Sequence, residues 1–203
     1  MDELDLRTLK YGLGLGRRKR KFANFVDLGA GLAIQSVRMA LNGYQAFAYD
    51  LIAAPQTLAS IARSYQVGRV TYITGDLSKL SVSAFPRSID IIYSQRFIHY
   101  LTFEDAVSLL ARLATRMKKG GHLFLSAAGF DTEIAQQHPD RSKPIAERFS
   151  VIDSEAARSH SITAALCIYR VQELELLADL AGYATVDSWI TEFGNVQGVF
   201  SKR

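Results

Sequence analysis

The chain has 203 residues, 48% hydrophobic and 22% charged, a balance that suits one globular domain and excludes a disordered or collagen-like chain. Its net charge of +4 admits an anionic ligand without demanding nucleic acid. No uninterrupted apolar run approaches the roughly 18 residues of a membrane-spanning helix, so no membrane partner is expected.

The first residues, Met1-Asp2-Glu3-Leu4-Asp5, are acidic and lack the apolar stretch of an export signal, which makes the cytoplasm the expected setting. Gly12, Gly14 and Gly16 then alternate with Leu13 and Leu15, and Arg17-Arg18-Lys19-Arg20-Lys21 follow. Residues 1–21 read as a flexible basic N-terminal arm. The basic run is either a solvated segment or a patch for phosphates.

Residues 22–203 read as one domain. Phe25-Val26-Asp27-Leu28 is a buried strand, ended by Gly29-Ala30-Gly31. Ile34 to Asn42 is a helix closed by Gly43. Gln45 to Tyr49 is a second strand ending at Asp50. Pro55 opens a helix with Leu58, Ile61, Ala62 and Tyr65 on one face. Val70 to Thr74 is a third strand before Gly75-Asp76, and Ile89 to Tyr93 a fourth. Thr102 and Asp105 start a helix whose stripe, Ala106, Leu109, Leu110, Leu113 and Met117, runs to Gly120-Gly121. His122 to Ser126 is a fifth strand. The stretch Gly129 to Tyr169 is polar and irregular, and 130–168 reads as a lid-like insertion. It contains Cys167, the single cysteine, which excludes an internal disulfide and a cysteine-based zinc site. A helix from Val171 to Ala181 precedes two strands, Ala184 to Glu192 and Val196 to Lys202. The short turn Phe193-Gly194-Asn195 makes that pair antiparallel. Strands alternating with helices predict an α/β fold with a mostly parallel sheet and its functional strand ends on one edge.

Three acids stand at those ends. Asp27 ends the first strand, Asp50 the second, and Asp76 follows the third. Each alone is also a turn former or cap. Together they suit a ligand with a positive group, ribose hydroxyls and an adenine amino group. Ile34 occupies the position where the dinucleotide fingerprint needs a small residue, which argues against NAD.

These residues, with Ile89-Asp90-Ile91-Ile92-Tyr93-Ser94 and Gly120-Gly121-His122-Leu123-Phe124-Leu125, resemble a class I S-adenosylmethionine-dependent methyltransferase. The resemblance implies a Rossmann-like sheet, mostly parallel with an antiparallel C-terminal strand pair, and S-adenosyl-L-methionine as cofactor. It implies that Gly29, Ala30 and Gly31 approach the methionine part, with Asp27 organising their loop. Asp50 and Leu51 would hold the ribose, Asp76 and Leu77 would frame the adenine, and Ser94 and Gln95 would lie beside the transferable methyl. The third glycine common in this motif is here Ala33. The segment Ser94 to Tyr100 lacks the proline pair of amino-group methyltransferases acting on bases, and resembles the small-molecule enzymes instead.

A small-molecule methyl acceptor is therefore expected. His99 is the candidate general base and Arg96 the candidate anchor for an anionic acceptor. His99 also suits a structural role opening the next helix, and Arg96 a surface ion pair. Two alternatives stay open: a nucleic-acid methyltransferase using Arg17 to Lys21, and a protein that binds the cofactor without turnover.

Overall fold

The computed structural model describes residues 2–16, 23–53, 56 and 68–203. Among them, seven strands form one sheet: β1 (Ala23–Leu28), β2 (Tyr44–Asp50), β3 (Val70–Thr74), β4 (Ile89–Gln95), β5 (Met117–Ala127), β6 (Tyr183–Ile190) and β7 (Val196–Lys202). Their order is β3-β2-β1-β4-β5-β7-β6. The first five pair in parallel, and β7 runs antiparallel to both β5 and β6. The α/β architecture is therefore as expected. The order reverses between β1 and β4, the place where open α/β sheets leave a crevice for ligands.

Alternation along each strand feeds two cores. Val26 and Leu28 of β1 point to one face, packing with Leu109, Leu110 and Leu113 of α3 (Phe103–Ala114) and with Leu174 and Leu177 of α5 (Val171–Leu180). Phe25 points to the other face, towards Leu4 of α1 (Glu3–Gly16) and Val37 and Met39 of α2 (Ile34–Leu41). No helix among the described residues is long and apolar enough to cross a membrane.

The flexible N-terminal arm needs correcting. Residues Glu3–Gly16 are a helix, with Leu4 and Thr8 fully buried. Its glycines do not all serve freedom. A methyl on Gly12 would stand 2.8 Å from the end of Met39. The Tyr44 hydroxyl donates to the Gly12 carbonyl at 2.8 Å. Gly12 thus lets the helix approach the sheet. Arg7 lies 3.9 Å over the Trp189 ring and pairs with Asp187 at 2.5 Å, which ties α1 to β6. The run Arg17 to Lys21 and the helix expected after Pro55 lie outside the described residues.

Met117 also departs from expectation. Helix α3 ends at Ala114, and Met117 opens β5. Gly120 and Gly121 therefore lie inside β5, where the pairing with β4 shifts register between Ile89 and Ile91. A Cβ on Gly121 would lie 2.7 Å from the Met117 Cγ and 3.1 Å from the Asp90 carbonyl oxygen.

The insertion is less irregular than its composition suggested. It holds single 3-10 turns at Glu133–Gln137 and Ile145–Glu147 and a short helix, α4 (Glu155–Ser159). Ile134, Ile152, Ala157, Leu166 and Ile168 form its own apolar cluster. Arg148, 1% exposed, pins the segment to α5 through Glu173, at 2.8 and 3.1 Å. Its guanidinium also donates to the carbonyls of Lys143 and Ile168 and stacks on Phe130.

Candidate active site

The loop after β1 carries the site. Gly29 and Gly31 have φ of +68° and +51°, the left-handed region that a glycine enters without steric cost. A methyl on Gly29 would lie 2.4 Å from the Phe97 Cβ. The Ala30 N–H donates to the Tyr49 carbonyl at 2.9 Å, which sets the loop against the end of β2. Ala33 takes the left-handed conformation too, at φ 54°, before the helix α2.

Asp27 sits beneath this loop, 2% exposed, and accepts from the Ser36 hydroxyl at 2.7 Å. Burial pushes its carboxyl up to about 7; the Ser36 bond opposes this, and the nearby charges of Asp5 and Asp50 add to it. Asp50 reaches across from β2. One of its oxygens accepts from the Gly31 N–H at 2.8 Å and the other from the Ile52 N–H at 3.0 Å. Leu51 follows, 70% exposed. The Tyr72 hydroxyl donates to the Gly31 carbonyl at 3.1 Å. Burial, with the charges of Asp50 and Asp27, raises that phenol to about 12.

Asp76 is held by its own turn. It accepts from the Ser78 N–H at 3.0 Å and the Ser78 hydroxyl at 2.7 Å, and pairs with Lys79 at 3.0 Å. Those bonds hold its carboxyl below the usual range. The Leu77 side chain points into the main core. Ser94 is fully buried in β4, and its hydroxyl finds no partner among the described residues. Gln95 is bound from both ends: its amide donates to Asp2, and its carbonyl accepts from the Tyr93 hydroxyl at 2.7 Å.

Two cavities meet here. One, of about 310 Å³, lies between α1, α2 and the end of β4, with Asp5, Asp27, Gly29 and Arg38 in its wall. The other, of about 900 Å³, lies between β4, the insertion and the β6–β7 turn. Gln95 and Arg96 line both. Arg96 holds φ at 52°, and its N–H donates to the Ser126 carbonyl at 3.1 Å. A non-glycine residue held in this conformation costs about 1–2 kcal/mol, which the structure sustains at the point where the cavities join.

His99 lines the larger cavity and is 3% exposed. Its Nδ1 accepts from the Ala128 N–H at 3.1 Å. A backbone N–H can only donate, so Nδ1 carries the lone pair and Nε2 the proton. Burial, then the charge of Arg96, pushes the imidazole down to about 3, so the ring is neutral. Its one basic nitrogen is already used. The general base expected from the sequence is thereby corrected to a hydrogen-bond donor.

Known proteins share this fold. Residues 26–125, roughly half of the chain, match a family model described as a methyltransferase domain. The chain is 32% identical over 105 residues to trans-aconitate 2-methyltransferase of Deinococcus radiodurans, a match covering 52% of this chain and 38% of that protein. The crystal structure of 1,6-didemethyltoxoflavin-N1-methyltransferase from Burkholderia thailandensis, with bound 1,6-didemethyltoxoflavin and S-adenosylhomocysteine, superposes with a TM-score of 0.66 at 18% identity, over 96% of this chain and 77% of that one. A SAM-dependent methyltransferase from Methanosarcina mazei superposes with a TM-score of 0.68 at 17% identity, over 93% and 96%.

The chain belongs to the class I S-adenosylmethionine-dependent methyltransferases. It spans well under half the length of the curated relatives it matches.

This methyltransferase places Asp27, Gly29, Ala30, Gly31 and Asp50 around one loop, with Gln95 and Arg96 facing it. His99 stands apart from that loop, in the larger cavity. Sequence reasoning missed Asp5, which reaches Tyr93 and Arg38 from α1. The helical spacing of Leu4, Thr8, Tyr11 and Leu15 was the signal that α1 would dock. Tyr72 was missed because a strand tyrosine carries no local mark of its partner.

Proposed function

We propose that this protein transfers a methyl group from S-adenosylmethionine to a small-molecule acceptor. The observation that supports this best is the meeting of the two cavities at Gln95 and Arg96, at the end of β4. The cofactor fits the loop side by the chemistry of its donors and acceptors. Gly29 leaves no room for a side chain of its own, Asp27 offers a buried carboxyl to an ammonium or sulfonium, and Asp50 offers two oxygens to ribose hydroxyls. Asp76 and Leu77, after β3, would border the adenine. When bound, the cofactor supplies a methyl carbon on a positively charged sulfur. The chain's own part is to align the acceptor behind that carbon and to exclude water.

Calorimetry tests the cofactor half of this reading. S-adenosylhomocysteine should bind and NAD should not; the reverse result defeats it. Asp50→Ala should weaken binding about tenfold to a hundredfold, the value of charge-assisted bonds worth about 1.5–3 kcal/mol. An unchanged affinity in the folded variant would remove Asp50 from the site.

Binding should also depend on pH through Asp27. Below about 7 this carboxyl is protonated and neutral, so it gives a cation no charge partner. Affinity should fall as the pH drops through 7, approaching tenfold per unit. The trend should vanish in Asp27→Asn. The same shift makes folding stability fall as pH rises towards 7, because the folded chain then holds a proton that the unfolded chain has lost.

A further inference from the structure

We infer that the acceptor is a monocarboxylic acid, methylated on a carboxylate oxygen to give a methyl ester. This rests on the methyl-transfer reading above and adds the class of acceptor. The larger cavity runs from the end of β4, where buried His99, half-buried Tyr100 and exposed Arg96 stand beside the junction, to an exposed rim on the insertion and the β6–β7 turn. None of them accepts a proton. Arg96 is a cation, and the Nδ1 of His99 is occupied by the Ala128 N–H. Tyr100 keeps its proton, its phenol raised by burial. The ring of His99 is enclosed, 3% exposed and with the Tyr100 ring centroid at 4.4 Å, which holds Nδ1 on the Ala128 N–H.

A hydroxyl acceptor would need a base at this point, and a carboxylate needs none. Guanidinium and imidazole N–H groups also match a carboxylate's two oxygens. The charges agree. One carboxylate oxygen attacks the methyl carbon with a lone pair. The carbon–sulfur bond breaks, and its electron pair stays on sulfur. An anion and a sulfonium become a neutral ester and a neutral thioether, and no proton moves. Methylating an amine instead would move the sulfonium's positive charge onto the acceptor nitrogen, beside Arg96, where a carboxylate acceptor cancels it.

The rim narrows the class further. Asp131, Glu133 and Glu192 line it and are exposed, with His160 3.7 Å from Glu133. Three carboxylates at the mouth repel a second or third acid group on the acceptor. They suit a basic or hydrogen-bond-donating group at its far end.

The test uses the full chain, S-adenosylmethionine labelled in the methyl carbon, and a metabolite extract of the source cells. The product is treated with mild alkali. Methyl esters of carboxylic acids then release labelled methanol, whereas methyl ethers, methylamines and methyl phosphates keep the label. Alkali-labile label supports the proposal. Alkali-stable label overturns it and leaves methyl transfer standing. Binding of S-adenosylhomocysteine with no transfer to any fraction overturns the activity itself, and this proposal with it.

Discussion

Replacing Glu173 with Gln should lower the melting temperature by on the order of 10 °C. The substitution keeps the shape and leaves the Arg148 guanidinium, 1% exposed, without its counter-charge. Removing one partner of a buried pair costs about 3–5 kcal/mol, and a domain of this size loses roughly 2–4 °C per kcal/mol. The loss should be felt first in the insertion, which Arg148 fastens to α5. Methyl transfer should show a raised KM for the acceptor before it shows weakened cofactor binding. A double variant, Arg148→Met with Glu173→Leu, should recover only part of the stability, since it strands no charge but leaves the carbonyls of Lys143 and Ile168 without their donor. Differential scanning calorimetry of the three proteins settles the matter. A drop no larger than 2 °C would mean that the pair is worth no more than a surface one.

The second large effect is expected at Gly29. Gly29→Ala and Gly31→Ala both force a side chain into left-handed backbone, at a cost of about 1–2 kcal/mol each. They differ in surroundings. The added carbon at Gly31 meets nothing within 4 Å, while at Gly29 it meets Phe97 at 2.4, 2.5 and 2.7 Å. Phe97 packs against the main core and cannot retreat freely. Gly29→Ala should therefore abolish measurable S-adenosylhomocysteine binding and cost several kcal/mol of stability, with Gly31→Ala milder in both. Adding Phe97→Ala to Gly29→Ala should restore part of the affinity. Equal behaviour of the two glycine variants would show that backbone conformation alone, and not contact with Phe97, governs the loop.

Much of the sheet was legible because its strands are short apolar runs closed by glycine or an acid. Phe25 to Leu28, with Gly29 and Gly31 after it, is recognisable without any partner. What failed did so for want of distant information. Leu113 to Met117 keeps helical spacing, yet the chain has already turned into β5, because Met117 pairs with Ile89. The glycines of α1 looked like freedom, since nothing near Gly12 in sequence shows that Met39 and Tyr44 crowd it. The three strand-end acids were found at one edge, as expected. The state of His99 was not readable at all. It depends on one N–H, that of Ala128, which lies 29 residues further on.

Helix α1 also sets the order in which the molecule can become complete. Asp2 receives the Gln197 amide at 3.2 Å across 195 residues, and Arg7 meets Asp187 across 180. During synthesis this helix leaves the ribosome well before its partners on β6 and β7. Closing so long a loop is entropically costly, so these two contacts form late. A half-made chain can pair β1 with β2 and fold the glycine loop, but it cannot yet seat α1 on its C-terminal partners. The Asp2–Gln197 and Arg7–Asp187 contacts thus report that β6 and β7 have been made and have joined the sheet.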